Sequence, residues 1–61
     1  MRINIMNSEF EKHGIDVNDS NFSEIAVSYI QDNYFNGADN AVIYLGWDYG
    51  MGSYEFELIS N

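Results

Sequence analysis

A small α+β domain with element order β-α-α-β-β is the fold this sequence predicts. Three observations lead to it: a stripe of apolar residues at helical spacing between Asn21 and Gly37, two strand-like runs flanking the glycine-rich stretch DYGMG, and one short alternating segment near the start. The 61 residues suit a single domain spanning 1–61, close to the lower limit at which a chain without disulfides or a metal folds alone. The expected architecture is a three-stranded, mainly antiparallel sheet with one long helix packed on one face.

Each element has a local reason. In RINIM, Ile3 and Ile5 alternate with Arg2, Asn4 and Met6, the pattern of a short strand. In NSEFEKHG, Ser8 and Glu11 have capping-box spacing and Gly14 supplies a stop, so one or two turns of helix are expected. In NFSEIAVSYIQDNYFNG, residues Phe22, Ile25, Ala26, Tyr29, Ile30 and Tyr34 recur at intervals of three and four. Ser20 or Asn21 can cap that helix, Glu24 suits the positive end of its dipole, and Asn36-Gly37 ends it. AVIYLGW is rich in strand-favouring residues, and in SYEFELIS the residues Tyr54, Phe56 and Leu58 alternate with Glu55 and Glu57. The connection DYGMG, with Gly50 and Gly52, suits a hairpin with one or two positive backbone angles. Strict alternation would put Ile43, Leu45 and Trp47 on one side of their strand, and the order of the strands stays open.

Composition separates the function classes further. A hydrophobic content of 46% with ten aromatic residues argues against disorder, which combines high charge with few apolar groups. Ten carboxylates stand against Arg2 and Lys12, for a formal charge of −8, and no cation follows Lys12. Direct nucleic-acid binding is disfavoured, because phosphate neutralisation needs Lys and Arg. A basic partner is favoured instead, and self-repulsion is expected to be eased by salt. The absence of cysteine fits a reducing compartment. The amino-terminal MRINIMNSEF lacks an apolar run of signal-peptide length, and nothing approaches the ~18 apolar residues of a membrane span, so a cytoplasmic protein is expected.

The chemistry-bearing patterns are sparse. Asp16, Asn18, Ser20 and Glu24 fall at four calcium-loop positions, but the glycine position holds Asn21 and the final carboxylate position holds Val27. A loop capped by its own side chains explains the same residues. His13 has no second His, Cys or activated Ser beside it, and the end of a short helix accounts for it. Some carboxylate pair is certain to lie at glycosidase spacing among ten acids, and the three glycines are followed by neither Lys nor a helix. No enzyme, cofactor or metal is therefore expected.

The acids are a different matter. Glu55 and Glu57 lie two residues apart on a strand, ~6.6 Å, near the step between successive phosphates of one nucleic-acid strand. Glu24 and Asp32 lie eight residues apart on the long helix, ~12 Å, near two such steps. Asp39 and Asp48 flank the middle strand, and Tyr49 and Met51 on the glycine turn are candidate apolar anchors. If strand, helix flank and turns share a side, the carboxylates form one phosphate-like face. An ordinary solvated surface explains the spacing equally well.

The size, the cation-free acidic-aromatic segments DNYFNGADN and WDYGMGSYEFELISN, and the lack of Cys and Pro make the chain similar to a class of inhibitors. These are the small acidic proteins that phages and mobile elements direct against host defences: anti-CRISPR proteins, antirestriction proteins and other DNA mimics. Trp47-Asp48-Tyr49-Gly50 also resembles an acidic-aromatic segment of antirestriction proteins. The resemblance implies a non-enzymatic phage inhibitor acting in the host cytoplasm. It would occupy the basic nucleic-acid channel of a CRISPR effector or restriction nuclease, through Glu55, Glu57, Asp48, Asp32, Asp39, Glu24, Tyr49 and Met51. Some members of this class instead block a conformational step or promote dimerisation. An antitoxin or immunity-like protein neutralising a basic toxin would show the same acidic surface. A homodimer is a further expectation, since a sheet this small leaves an open edge and an uncovered face.

Overall fold

The last strand of the chain, β3 (Ser53–Ser60), is the centre of the sheet. In the computed structural model, which describes residues 1–34 and 40–60, it is flanked by β1 (Arg2–Ile5) and β2 (Asn40–Asp48), both antiparallel to it. Two helices of unequal length, α1 (Asn7–Lys12) and α2 (Phe22–Tyr34), complete the expected β-α-α-β-β order.

Both helices pack on one face of the sheet. Ile5, Phe10, Phe22, Ala26, Ile30, Phe56 and Leu58 are buried there, with Ile3, Val42, Tyr44 and Tyr54 partly buried around them. Phe10 is the hub: its ring meets those of Phe22 at 5.1 Å, Tyr29 at 5.7 Å, Tyr54 at 6.0 Å and Phe56 at 6.2 Å, all edge to face. Aromatic side chains bury large areas at little entropic cost, which is how so short a chain builds a core. The α2 stripe is narrower than the sequence predicts. Phe22, Ala26 and Ile30 are buried, whereas Ile25 and Tyr34 are exposed at its margins.

Local chemistry accounts for the joints. The capping box at Ser8 and Glu11 does not form: α1 begins at Asn7, Met6 is its N-cap, and no side chain bonds the cap. The start is set by the strand that precedes it, leaving Ser8 already inside the first turn. Gly14 closes α1 as expected, at φ +75, with its N–H on the Glu11 carbonyl and the Ile15 N–H on the Phe10 carbonyl. Ile15 then packs against the core, completing a Schellman motif. In the link to α2, the Asp16 and Asp19 carboxylates accept the N–H groups of Asn18 and Asn21 at 2.9 and 2.8 Å. These are turn-forming side-chain bonds, the capped loop that competed with a calcium site in the sequence.

Within β2 the expected alternation breaks. Tyr44 pairs with Phe56 and Gly46 with Glu55, so Leu45 is an extra residue in a β-bulge and Gly46 takes φ +117. The shift brings Trp47 opposite Tyr54, ring centroids 4.8 Å apart, on the helix-bearing side. Trp47 therefore does not share a side with Ile43. A bulge re-aims one side chain without ending the strand, and a glycine at positive φ makes it inexpensive.

Candidate interaction surface

The eight residues singled out from the sequence fall on three parts of the molecule. Glu55, Glu57 and Asp48 lie on the open face of the sheet, the side without helices. Tyr49 and Met51 lie at the tip of the β2–β3 hairpin beside Asp48. Glu24 and Asp32 lie on the solvent side of α2, on the opposite layer, and Asp39 lies outside the described residues. One continuous face of all the acids does not form, because the sheet separates the two groups.

On the open face, cross-strand pairing decides the neighbours. Arg2 pairs with Glu57, and Asn4 pairs with Glu55. The terminal ammonium of Met1 donates to Glu57 Oε2 at 2.9 Å and to the Leu58 carbonyl at 3.0 Å. The Arg2 guanidinium lies 3.6 Å from Glu57 and 3.9 Å from Glu55. The ammonium bond, reinforced by the charges of Met1 and Arg2, holds the Glu57 carboxyl below its ordinary range. Asn4 donates to Ser53 Oγ at 3.0 Å and to Asp48 Oδ2 at 3.3 Å, over a Ser53 that is itself buried. The open face is thus a network of paired charges and amides and carries little free negative charge.

Asp48 has a structural task as well. Its Oδ1 accepts the N–H groups of Gly50 at 2.9 Å and Met51 at 3.2 Å, and its carbonyl accepts that of Gly52 at 2.8 Å. This holds a tight tip from which Tyr49 and Met51 project, 89% and 66% exposed. Trp47 backs Tyr49 with an edge-to-face contact at 6.4 Å. The aromatic on the tip is presented on a fixed base, the form an interface anchor takes.

A second network occupies the α1–α2 boundary. Glu9 Oε2 accepts the Tyr29 hydroxyl at 2.8 Å and lies 3.3 Å from His13 Nε2, while Glu9 Oε1 lies 4.0 Å from Lys12 Nζ. The Tyr29 hydrogen bond, helped by Lys12 and His13, holds the Glu9 carboxyl below its ordinary range. Burial, together with the negative Glu9, pushes the Tyr29 hydroxyl from 10.0 up to about 12. His13 also stacks obliquely on Tyr29, ring centroids 5.0 Å apart, which gives it a packing role. A shallow open depression of about 260 Å³ lies beside this network, lined by Asn4, Ile5, Met6, Ser8, Glu9 and Tyr34.

The Tyr29 hydroxyl has a consequence for stability. A folded-state pKa above the ordinary value means the fold favours the neutral phenol, so this contribution is complete below pH 10.0 and lost as pH rises towards about 12. Thermal melts followed by circular dichroism should show a falling midpoint across that window. Tyr29→Phe should flatten the fall. A residual slope is expected from Tyr44, raised by burial and by Tyr54. For Glu9 and Glu57, both depressed, the sign reverses and stability is lost as pH falls below the ordinary carboxylate range.

The two networks together engage the terminal ammonium, Arg2, Lys12 and His13, and they use Glu9, Glu55 and Glu57 to do so. What remains is the helical layer. Glu11, Asp16, Asp19, Glu24 and Asp32 are exposed there, and none forms an ion pair among the described residues. Sequence spacing ranked Glu55 and Glu57 highest and passed over Glu11, Asp16 and Asp19. The pairing of Arg2 with Glu57 depends on β1 lying beside β3, which no local pattern encodes.

Among the described residues no three His, Asp or Glu side chains converge to hold a metal, and no helix is long and apolar enough to cross a membrane. Comparison with protein-family models, with curated proteins and with solved structures returns no match.

Proposed function

We propose that the protein is a non-enzymatic inhibitor that binds a basic, nucleic-acid-handling surface of another protein, of the kind a CRISPR effector or restriction nuclease presents. The observation that carries this reading is the division of charge. Every described cation is engaged by three glutamates, and the helical layer keeps five exposed carboxylates with no counter-charge. An unscreened single-sign surface attracts an oppositely charged partner over a Debye length and accelerates encounter. Glu24 and Asp32 on a rigid helix, with Asp16 and Asp19 fixed by their turns at its start, are the phosphate substitutes of this reading. The hairpin tip with Tyr49 and Met51 is an apolar anchor at the edge of the molecule. The open-face acids Glu55 and Glu57 contribute less, being neutralised within the fold.

The test is a tagged capture from host lysate at low salt, followed by stepwise salt elution and by challenge with duplex DNA and with RNA. A nuclease or effector subunit released by moderate salt and displaced by nucleic acid is the expected result. A partner that survives both challenges would overturn competition for a phosphate-binding surface. Recovery of no partner would overturn the inhibitor reading itself.

A further inference from the structure

The two edges of the sheet are guarded very differently. β1 is four residues long and carries Arg2, features that discourage pairing with another chain. β2 is nine residues long, and residues 40–47 form the longest run in the chain without a charged side chain, bounded by Asp39 and Asp48. It contains neither Lys nor Pro, and its one blunting feature is the bulge at Leu45. Ile43 and Leu45 are 46% and 44% exposed.

The hydrogen-bond phase of the sheet fixes which groups this edge offers. The Leu58 N–H bonds the Met1 carbonyl at 2.7 Å and the Leu58 carbonyl accepts from Met1, so alternate β3 residues Leu58, Phe56 and Tyr54 bond towards β1. Glu57 and Ile59 then bond towards β2, through Ile43 and Ala41. Among the described residues, the main-chain groups of Val42 and Tyr44 pair with no other strand and point out of this edge.

We propose that two copies of the chain pair through this edge, antiparallel about a two-fold axis at Ile43, to give one continuous six-stranded sheet. In that register Val42 of one copy faces Tyr44 of the other, and the two residues exchange N–H and carbonyl bonds on each side of the axis. Ile43 meets its own counterpart on the open face, covering apolar surface now in water. The pairing is isologous, as a two-fold contact must be. Self-complementarity selects a second copy as the occupant: Val42 and Tyr44 flank Ile43 symmetrically, so this edge can pair with itself, and charge decides only where two copies can meet. A basic partner is drawn to the helical layer, whereas a copy carrying −8 can approach closely only where charge is lowest, at residues 40–47. A standard interface of about 800 Å² per partner would cover about a fifth of the 4054 Å² surface.

This contact and the inhibitory one respond oppositely to salt. Like-charged copies associate more tightly as salt screens them, while an acidic layer on a basic partner is weakened. Sedimentation equilibrium across protein and salt concentrations should therefore show a monomer–dimer equilibrium that tightens with salt. Amide exchange at Val42 and Tyr44 should slow as the dimer forms. Ile43→Lys places two ammonium groups across the axis, yet within one chain it faces Glu57, a favourable cross-strand pair, so the fold is kept. It should weaken dimerisation about tenfold or more, with the melting curve unchanged at dilutions where both proteins are monomers. A protein monomeric at millimolar concentration in high salt would overturn the proposal. So would a dimer in which Val42 and Tyr44 exchange as fast as in the monomer, or one indifferent to Ile43→Lys.

Discussion

Phe10→Ala is expected to unfold most of the protein at ordinary temperature. Phe10 is fully buried and touches four aromatic rings drawn from α2 and β3. Truncating a buried phenylalanine to alanine costs about 3–5 kcal/mol, through lost transfer energy and the cavity left behind. At roughly 0.05–0.15 kcal/mol per residue, a domain of this length has about 3–9 kcal/mol in total. The loss is therefore comparable with the whole stability. It is also not confined to one place. The six residues of α1 are too few to hold a helix without packing, so α1, the Ile15 contact and the Glu9–Tyr29 network should go together. Urea titration with near-ultraviolet circular dichroism should find the variant without a native baseline. Phe10→Leu, which keeps most of the volume, should fold with a midpoint lowered but measurable. An alanine variant melting within a few degrees of the parent would mean that Phe10 is not the hub.

The same residue shows what a sequence of this length reveals about its own fold. Phe10 sits in a segment whose helical character is visible from Gly14, but its centrality depends on β3, more than forty residues later. Elements with a strong local period, α2 and the β2–β3 hairpin, were legible because burial of one face imposes that period directly. The strand order was not, since β1 could have paired with either strand by its own pattern. The bulge has a local signal in the sequence. Gly46 interrupts an otherwise apolar strand, and an isolated glycine there marks a bulge more often than a turn. Strict alternation carried through Gly46 would keep Trp47 in phase with Ile43, and the bulge is what breaks it. For the candidate site, the exposure of Glu24 and Asp32 followed from the helical stripe. The neutralisation of Glu55 and Glu57 did not, because Met1 and Arg2 reach them across more than fifty residues of sequence.

Reversing Glu24 and Asp32 together to lysine is expected to slow association with a basic partner by about 10- to 1,000-fold at low salt, the range over which electrostatic steering acts. The pair is chosen so that the fold does not change with the charge. Both side chains are exposed on α2 and have no ion pair among the described residues. Glu24→Lys loses a favourable dipole interaction in the first turn, about 0.3–1 kcal/mol, and Asp32→Lys near the other end regains a similar amount. The formal charge rises from −8 to about −4 without touching the core. Association kinetics with the captured partner, followed over a salt series, should show the two proteins converging as screening removes the steering term. The control is Glu55→Gln with Glu57→Gln on the open face. That pair should leave association nearly unchanged and instead lower the melting temperature, because the amino terminus loses its anchor. The opposite outcome, slow association in the open-face variant and none in the helical one, would move the docking surface to the sheet and make the ion pairs of Met1 and Arg2 contacts that the partner's own cations must displace.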